Sequence, residues 1–136
     1  MSRLIEQLKV HEGFRSKPYK CTADKLTIGY GLNLDAGISE ELAVIILEHQ
    51  LKSTVNQLKK LGWFFNIDSF ARQDAIVNMA FNLGVAGVCK FRKMINAISI
   101  HDYHKAANEM LDSKWANQVG DRAVELAEQM RSGVYK

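Results

Sequence analysis

The sequence predicts an α+β domain of two lobes, and three observations lead to this class. Apolar residues recur at helical spacing through most of the chain. A short segment between about residues 15 and 35 instead alternates apolar and small or polar residues between turn-forming residues, as strands do. A long helical segment, from about residue 39 to residue 60, connects the two regions. The 136 residues, 47% hydrophobic and 24% charged with one proline, have the composition of a single globular domain.

The first half of the chain contains a helix, a strand region and the long helix. Helical spacing predicts a helix over residues 3–11 that ends at Gly13, which places Glu12 at its C-terminal end. This is an unusual place for a carboxylate, because the helix dipole is negative there. Residues 14–35 are predicted to form a small β hairpin or meander. Ser39 is a typical N-cap for the long helix.

Helices alone are predicted for the second half. Asp68 or Ser69 begins a helix that ends near Gly84, and further helices are expected over residues 91–98, 102–114 and 120–132. We therefore expect one domain, residues 1–136, in two lobes. The first, about residues 12–60, carries the site, and the second, about residues 61–136, is helical. Helix 2–11 is expected to pack on the second lobe.

Charge and special residue types exclude several classes of protein. A net charge of +3 suits work beside an anionic polymer, either nucleic acid or bacterial cell wall. Two cysteines, Cys21 and Cys89, are too few for a disulfide scaffold and indicate a reducing cytosol. No apolar run is long enough for a signal peptide or a membrane span. The four histidines lack metal-ligand spacing and no glycine-rich phosphate loop occurs, so neither a metal nor a cofactor is expected.

Glu12, Cys21 and Thr27 form the densest group of functional residue types, although each one alone is ordinary. The run EGFRSKPYKCTADKLTIGYG, residues 12–31, resembles the catalytic signature of the phage-type lysozymes, glycoside hydrolase family 24. In that family a Glu is followed nine residues later by Asp or Cys, and six residues after that by Thr. RQDAIVNMAFNLG (72–84) and AANEMLDSKWANQVGDRA (106–123) resemble the same family, so the resemblance covers nearly the whole chain and implies the lysozyme fold.

The resemblance implies hydrolysis of the β-1,4 bond between N-acetylmuramic acid and N-acetylglucosamine in peptidoglycan. Glu12 would be the acid that protonates the glycosidic oxygen, and Arg122 would orient it. Cys21 would act as nucleophile, base or polar support, although a thiol is mostly protonated at neutral pH, where an Asp is ionised. Thr27 would hold a water molecule on the opposite face of the sugar.

The resemblance also implies substrate contacts on both lobes: Asn33, Phe81, Asn82, Glu109 and Trp115. Phe81 and Trp115 suit a packed core position as well. Glu109 and Met94 replace an amide and a hydroxyl that are usual at these positions.

As a whole, the resemblance implies a bacteriolytic endolysin of a bacteriophage, a monomeric hydrolase without a cofactor. It would remain in the host cytoplasm until a separate holin gives it access to the wall. One alternative is a lysozyme-like protein that binds peptidoglycan without cutting it, since Cys21 stands where Asp is common. A nucleic-acid-binding protein is suggested only by the basic pI and is not expected, because the basic residues are scattered among acids.

Overall fold

The computed structural model describes residues 2–135, which are mostly helical with one small antiparallel sheet near the N terminus. This confirms the predicted α+β, lysozyme-like class. The strands are β1 (Arg15–Lys20), β2 (Leu26–Gly29) and β3 (Leu32–Asn33). The helices are α1 (Ser2–Glu12), α2 (Glu40–Leu58), α3 (Gly62–Phe65), α4 (Phe70–Leu83), α5 (Val85–Cys89), α6 (Arg92–Ser99), α7 (Tyr103–Leu111), α8 (Lys114–Val119) and α9 (Asp121–Ser132).

The chain divides into two compact units, one reaching Ile46 and the other beginning at Leu47. The boundary therefore falls inside α2. The first unit contains α1 and the sheet, and the second contains α3 to α9. The predicted lobes, residues 12–60 and 61–136 with helix 2–11 on the second, remain a prediction.

The sheet of the first unit has the order β1-β2-β3. Its central strand pairs Thr27 with Tyr19 on one side and with Asn33 on the other. After β3 the chain makes a 3-10 turn, Leu34–Ala36, and the Asp35 carboxylate accepts a hydrogen bond from the Leu26 backbone N–H at 2.9 Å. This bond ties the turn back to the start of β2.

The core of the second unit is formed by apolar side chains from α3 to α9 together with the end of α2. Its largest fully buried side chains include four methionines, Met79, Met94, Met110 and Met130. Methionine is flexible and fills irregular gaps between helices that cross at different angles. Side-chain caps begin four of the described α-helices: Ser39 before α2, as predicted, Ser69 before α4, Asp102 before α7 and Ser113 before α8.

Three short helices depart from the predicted pattern. The helix predicted over 102–114 ends at Leu111, and α8 follows as a separate helix. The break is stable because the Ser113 hydroxyl accepts from the Ala116 N–H at 3.1 Å and donates to the Met110 carbonyl at 2.7 Å. Three consecutive aromatic residues, Trp63, Phe64 and Phe65, lie in α3, and α5 begins directly after Gly84. Among the described helices, none combines the length and the apolar character that crossing a membrane requires.

Candidate active site

Glu12 is the last residue of α1, and its carboxyl group lies against Gly31. The helix ends there because Gly13 takes a positive φ of 69° while its N–H still bonds the Lys9 carbonyl. Gly31, in the turn between β2 and β3, also has a positive φ, 79°. A Cβ atom at Gly31 would lie 2.6 Å from Oε2 of Glu12. Glycine is therefore required at this position both for the turn and for the approach of the carboxyl group.

Cys21 follows β1 in a tight turn. Its backbone N–H donates to the Lys25 carbonyl, and its own carbonyl accepts from the Asp24 N–H, both at 2.9 Å. Inside this turn the backbone N–H of Lys25 and then that of Ala23 donate to the sulfur and lower the pKa of the Cys21 thiol. Partial desolvation opposes them. The turn thus favours the thiolate and reduces the difference between this cysteine and an ionised aspartate.

Thr27 is the buried member of β2, with 4% of its surface exposed. Its hydroxyl donates to the Lys25 carbonyl at 2.8 Å. A hydroxyl has one proton, so the Thr27 oxygen remains as an acceptor. Asn33 lies directly opposite in β3, where its side-chain oxygen accepts from the Asp35 N–H at 3.0 Å. Thr27 and Asn33 therefore lie in one sheet, and Cys21 directly follows its first strand. The Glu12 carboxyl lies against Gly31, in the turn between β2 and β3.

In the second unit, Phe81 and Asn82 are exposed near the end of α4. Phe81 is 38% exposed and is not a core residue. Trp115 is 3% exposed and packs edge-on against Phe91, and its indole N–H donates to the Asn82 side-chain oxygen at 2.9 Å. Trp115 therefore orients the Asn82 amide from within the core.

Arg122, in α9, has a partner that the sequence did not indicate. Its Nε and one terminal nitrogen donate to the Asn78 side-chain oxygen at 2.9 and 2.7 Å. The same terminal nitrogen donates to the Asn78 backbone carbonyl at 3.2 Å. The two residues are 44 positions apart in the sequence, so no local pattern could reveal the pair. The predicted contact of Arg122 with Glu12 stays a prediction.

Glu109 lines an open groove of about 720 Å³ within the second unit. Apolar side chains, including those of Phe91 and Trp115, form part of this groove. The basic side chains that line it outnumber the acidic ones: Lys90, Arg92, Lys93 and Lys114 against Glu109 and Asp112. Met94, which replaces the usual hydroxyl residue, is fully buried. Among residues 2–135 no group of three or more His, Cys, Asp or Glu side chains converges as metal ligands would.

The helices and the small antiparallel sheet together define a lysozyme-like α+β protein. The family described as phage lysozyme matches residues 9–131, and the chain belongs to that family. The family assignment made from the sequence is thereby confirmed.

Individual relatives are similar at low to moderate identity. The chain is 31% identical over 149 aligned residues to the pre-baseplate central spike protein Gp5 of Enterobacteria phage T4. That alignment covers 88% of this chain but only 26% of the spike protein. It is 25% identical to the probable T4-type lysozyme 2 of Dictyostelium discoideum, covering 100% of this chain and 98% of that one. It is 29% identical to an endolysin of Acyrthosiphon pisum secondary endosymbiont phage 1, and the alignment covers 80% of this chain and 74% of that endolysin.

Proposed function

We propose that this protein is a lysozyme that hydrolyses the β-1,4 bond between N-acetylmuramic acid and N-acetylglucosamine in peptidoglycan. The proposal rests mainly on the Glu12 carboxyl group, which lies against Gly31. Cys21 and Thr27 belong to the same unit. Membership of the phage lysozyme family supports the same activity.

The proposed reaction begins with proton transfer. A glycosidic oxygen leaves readily only after protonation, and Glu12 supplies that proton. Positive charge then develops on the sugar ring, and a thiolate at Cys21 would stabilise it, attack the anomeric carbon or activate water. The Thr27 hydroxyl proton is already donated to the Lys25 carbonyl, so its oxygen accepts a hydrogen bond from the attacking water and orients it.

The remaining site residues are proposed to bind or to position. Asn33, Phe81, Asn82 and Glu109 would contact the glycan. Trp115 would act through Asn82, because its indole N–H bonds that amide and its ring is buried. Arg122 would orient Glu12, as the resemblance implies.

We further propose that the chain acts as an endolysin at the end of a phage infection. It would be held in the host cytoplasm as a monomer without a cofactor until a separate holin admits it to the wall. Its similarity to a relative named as an endolysin supports this role.

A second candidate function is that of a protein that binds peptidoglycan without cutting it. It is suggested by Cys21, which stands where Asp is more common. Digestion of purified peptidoglycan, followed by borohydride reduction and mass spectrometry, separates the two. A lysozyme releases fragments whose reducing ends are N-acetylmuramic acid, and borohydride converts these ends to N-acetylmuramitol. A binding protein sediments with the walls and releases no new reducing ends, and that result would contradict the proposed activity.

A further inference from the structure

One exposed face of α4 carries an amide, an aromatic ring and a second amide. Asn78, Phe81 and Asn82 lie at positions i, i+3 and i+4, and all three are exposed. Residues at this spacing have Cβ atoms about 5–6 Å apart on the same side of a helix. Phe81 and Asn82 were expected to contact substrate, whereas nothing in the sequence indicated a role for Asn78.

Both amides are held by groups that can only donate hydrogen bonds. The Arg122 guanidinium donates twice to the Asn78 side-chain oxygen, at 2.9 and 2.7 Å. The Trp115 indole donates to the Asn82 side-chain oxygen at 2.9 Å. Neither guanidinium nor indole contains an acceptor, so an amide turned the other way would place its N–H₂ against a donor. The chemistry of the partners therefore fixes which end of each amide is bound.

The fixed orientation decides what this face offers to a ligand. An amide oxygen accepts two hydrogen bonds, and the oxygen of Asn78 already receives two from Arg122. The hydrogen-bonding groups left to Asn78 are its two amide N–H donors. Asn82 likewise keeps its N–H₂ group, while its oxygen is bound to Trp115. The face thus presents N–H donors about one helical turn apart, on the same side of the helix as Phe81.

We propose that Asn78 is a further substrate-binding residue, and that Asn78 and Asn82 together recognise the carbonyl and hydroxyl oxygens of N-acetylated sugars. An acetamido carbonyl is a strong acceptor that matches an amide N–H, and the apolar face of a sugar ring packs on an exposed aromatic ring such as Phe81. This inference rests on the proposed function. It names the chemical groups of the proposed substrate that the second unit recognises. Arg122 is then a positioning residue for Asn78.

Replacement of Asn78 by aspartate separates this role from a purely structural one. Asn78→Asp keeps the size of the side chain and gives Arg122 a carboxylate that accepts the same bonds more strongly. It removes the N–H donors and presents an acceptor to the ligand instead. If Asn78 only anchors α9 through Arg122, the variant should bind sugar as well as the parent does.

The chain offers a matched control in Asn108. Its side-chain oxygen also accepts from an arginine, at 3.0 Å from Arg131, and it is exposed on a different helix, α7. Asn108→Asp makes the same chemical change beside the same kind of partner. It leaves the α4 face unaltered.

The test measures binding and turnover separately. An N-acetylglucosamine oligosaccharide is titrated calorimetrically into Glu12→Gln protein that carries Asn78→Asp, Asn82→Asp or Asn108→Asp. We expect the dissociation constant to rise about tenfold for Asn78→Asp and for Asn82→Asp, and to stay unchanged for Asn108→Asp. In the active protein, Asn78→Asp should raise KM for soluble peptidoglycan fragments and leave kcat within about twofold.

The outcomes distinguish this inference from the proposed function. Equal sugar affinity in the Asn78→Asp and Asn108→Asp proteins, with wall hydrolysis intact, would overturn the role of Asn78 alone. A fall in kcat with unchanged KM would also overturn it, because the residue would then act on the reaction and not on binding. Absence of both sugar binding and wall hydrolysis in the parent chain would refute the proposed function, and the inference with it.

Discussion

At the scale of single residues, the position of the Glu12 carboxyl depends on a glycine elsewhere in the chain. Gly29, the last residue of β2, and Gly31, in the turn that follows, have positive φ angles of 69° and 79°. A Cβ atom at Gly31 would meet Oε2 of Glu12 at 2.6 Å, whereas one at Gly29 would meet nothing within 4 Å. The two glycines therefore share a backbone requirement but differ in their effect on the acid.

This difference gives the first prediction. Alanine at either glycine should cost about 1–2 kcal/mol of stability, because an L-residue is strained at positive φ. Gly31→Ala should in addition displace the Glu12 carboxyl and lower kcat/KM for wall hydrolysis about 100-fold below that of Gly29→Ala. Urea unfolding and a turbidity assay on the two variants check this. Similar losses of activity in both would show that the Glu12 carboxyl tolerates displacement.

A second prediction concerns the pH dependence of Cys21. The Lys25 and Ala23 backbone N–H groups lower the pKa of its thiol, so alkylation of Cys21 by iodoacetamide should reach half its maximal rate at a lower pH in the folded protein than in the unfolded chain. The lowered pKa of Cys21 also makes the stability of the fold depend on pH. A depressed pKa contributes stability above the pKa of the unfolded thiol, and this is lost as the pH falls through the folded value.

Peptide mass spectrometry after timed alkylation, with and without denaturant, measures this midpoint at Cys21. The same midpoint in both states would mean that the turn does not stabilise the thiolate.

The sequence indicates candidate site residues, but it does not indicate their hydrogen-bond partners. Glu12, Cys21 and Thr27 are candidates because they lie within one continuous segment of 20 residues, 12–31, and their role stays a prediction. The bonds from Arg122 to Asn78 and from Trp115 to Asn82 join residues 44 and 33 positions apart. Such pairs follow from the packing of helices, which local sequence does not specify.

At the scale of elements, Arg72 joins the start of α4 to the end of α9. Its side chain donates to the carbonyls of Met130 and Arg131 at 2.7 and 3.0 Å, and its guanidinium carbon lies 3.9 Å from the centre of the Tyr103 ring. Carbonyls in the last turn of a helix lack partners within it, and a cation there also opposes the helix dipole. Arg72 thus stabilises the C-terminal end of α9.

We predict that Arg72→Ala lowers the free energy of unfolding by about 2–4 kcal/mol, because charge-assisted hydrogen bonds and a cation–π contact are lost from a side chain that is only 16% exposed. Arg131→Ala is the control. Arg131 pairs with Glu128 at 2.8 Å nearer the surface, and its loss should cost at most about 1 kcal/mol. Equal losses in urea unfolding would contradict the role given to Arg72.

Local chemistry explains which element boundaries were predictable. Ser69 and Gly133 are typical cap residues, and they begin α4 and end α9 as expected. The short helices α3, α5 and α8 were missed because segments of four to six residues show less than two turns of periodicity. Their stability comes from tertiary packing, as the burial of Phe64, Val88 and Trp115 shows.

At the scale of the whole molecule, burial is unevenly distributed between the two units. The buried apolar core extends from Leu58 to Met130 and lies in the second unit. In the first unit, Thr27 is the buried residue among those described. The energy of local opening follows the density of buried contacts, so the units should differ in local stability.

Native-state hydrogen exchange measures this difference. We expect the backbone amides of Met79 and Met130 to exchange only through openings close to global unfolding. Those of Ile28 and Leu32, in the small sheet, should exchange through openings of lower free energy. Uniform protection across both units would contradict the uneven stability. A ligand that binds the first unit should raise protection in the sheet.

The central claim is that Glu12 donates the proton that breaks the glycosidic bond. Its most direct test is the rate at which Glu12→Gln releases reducing ends from peptidoglycan, compared with the parent chain and with Glu6→Gln. Glu6 lies on the same helix and pairs with Lys9 at 3.3 Å on the surface, so its replacement controls for the loss of a carboxylate. We expect Glu12→Gln to lose at least about 100-fold in rate with its fold intact, and Glu6→Gln to keep the parent rate. Hydrolysis by Glu12→Gln at the parent rate would show that another group protonates the leaving oxygen.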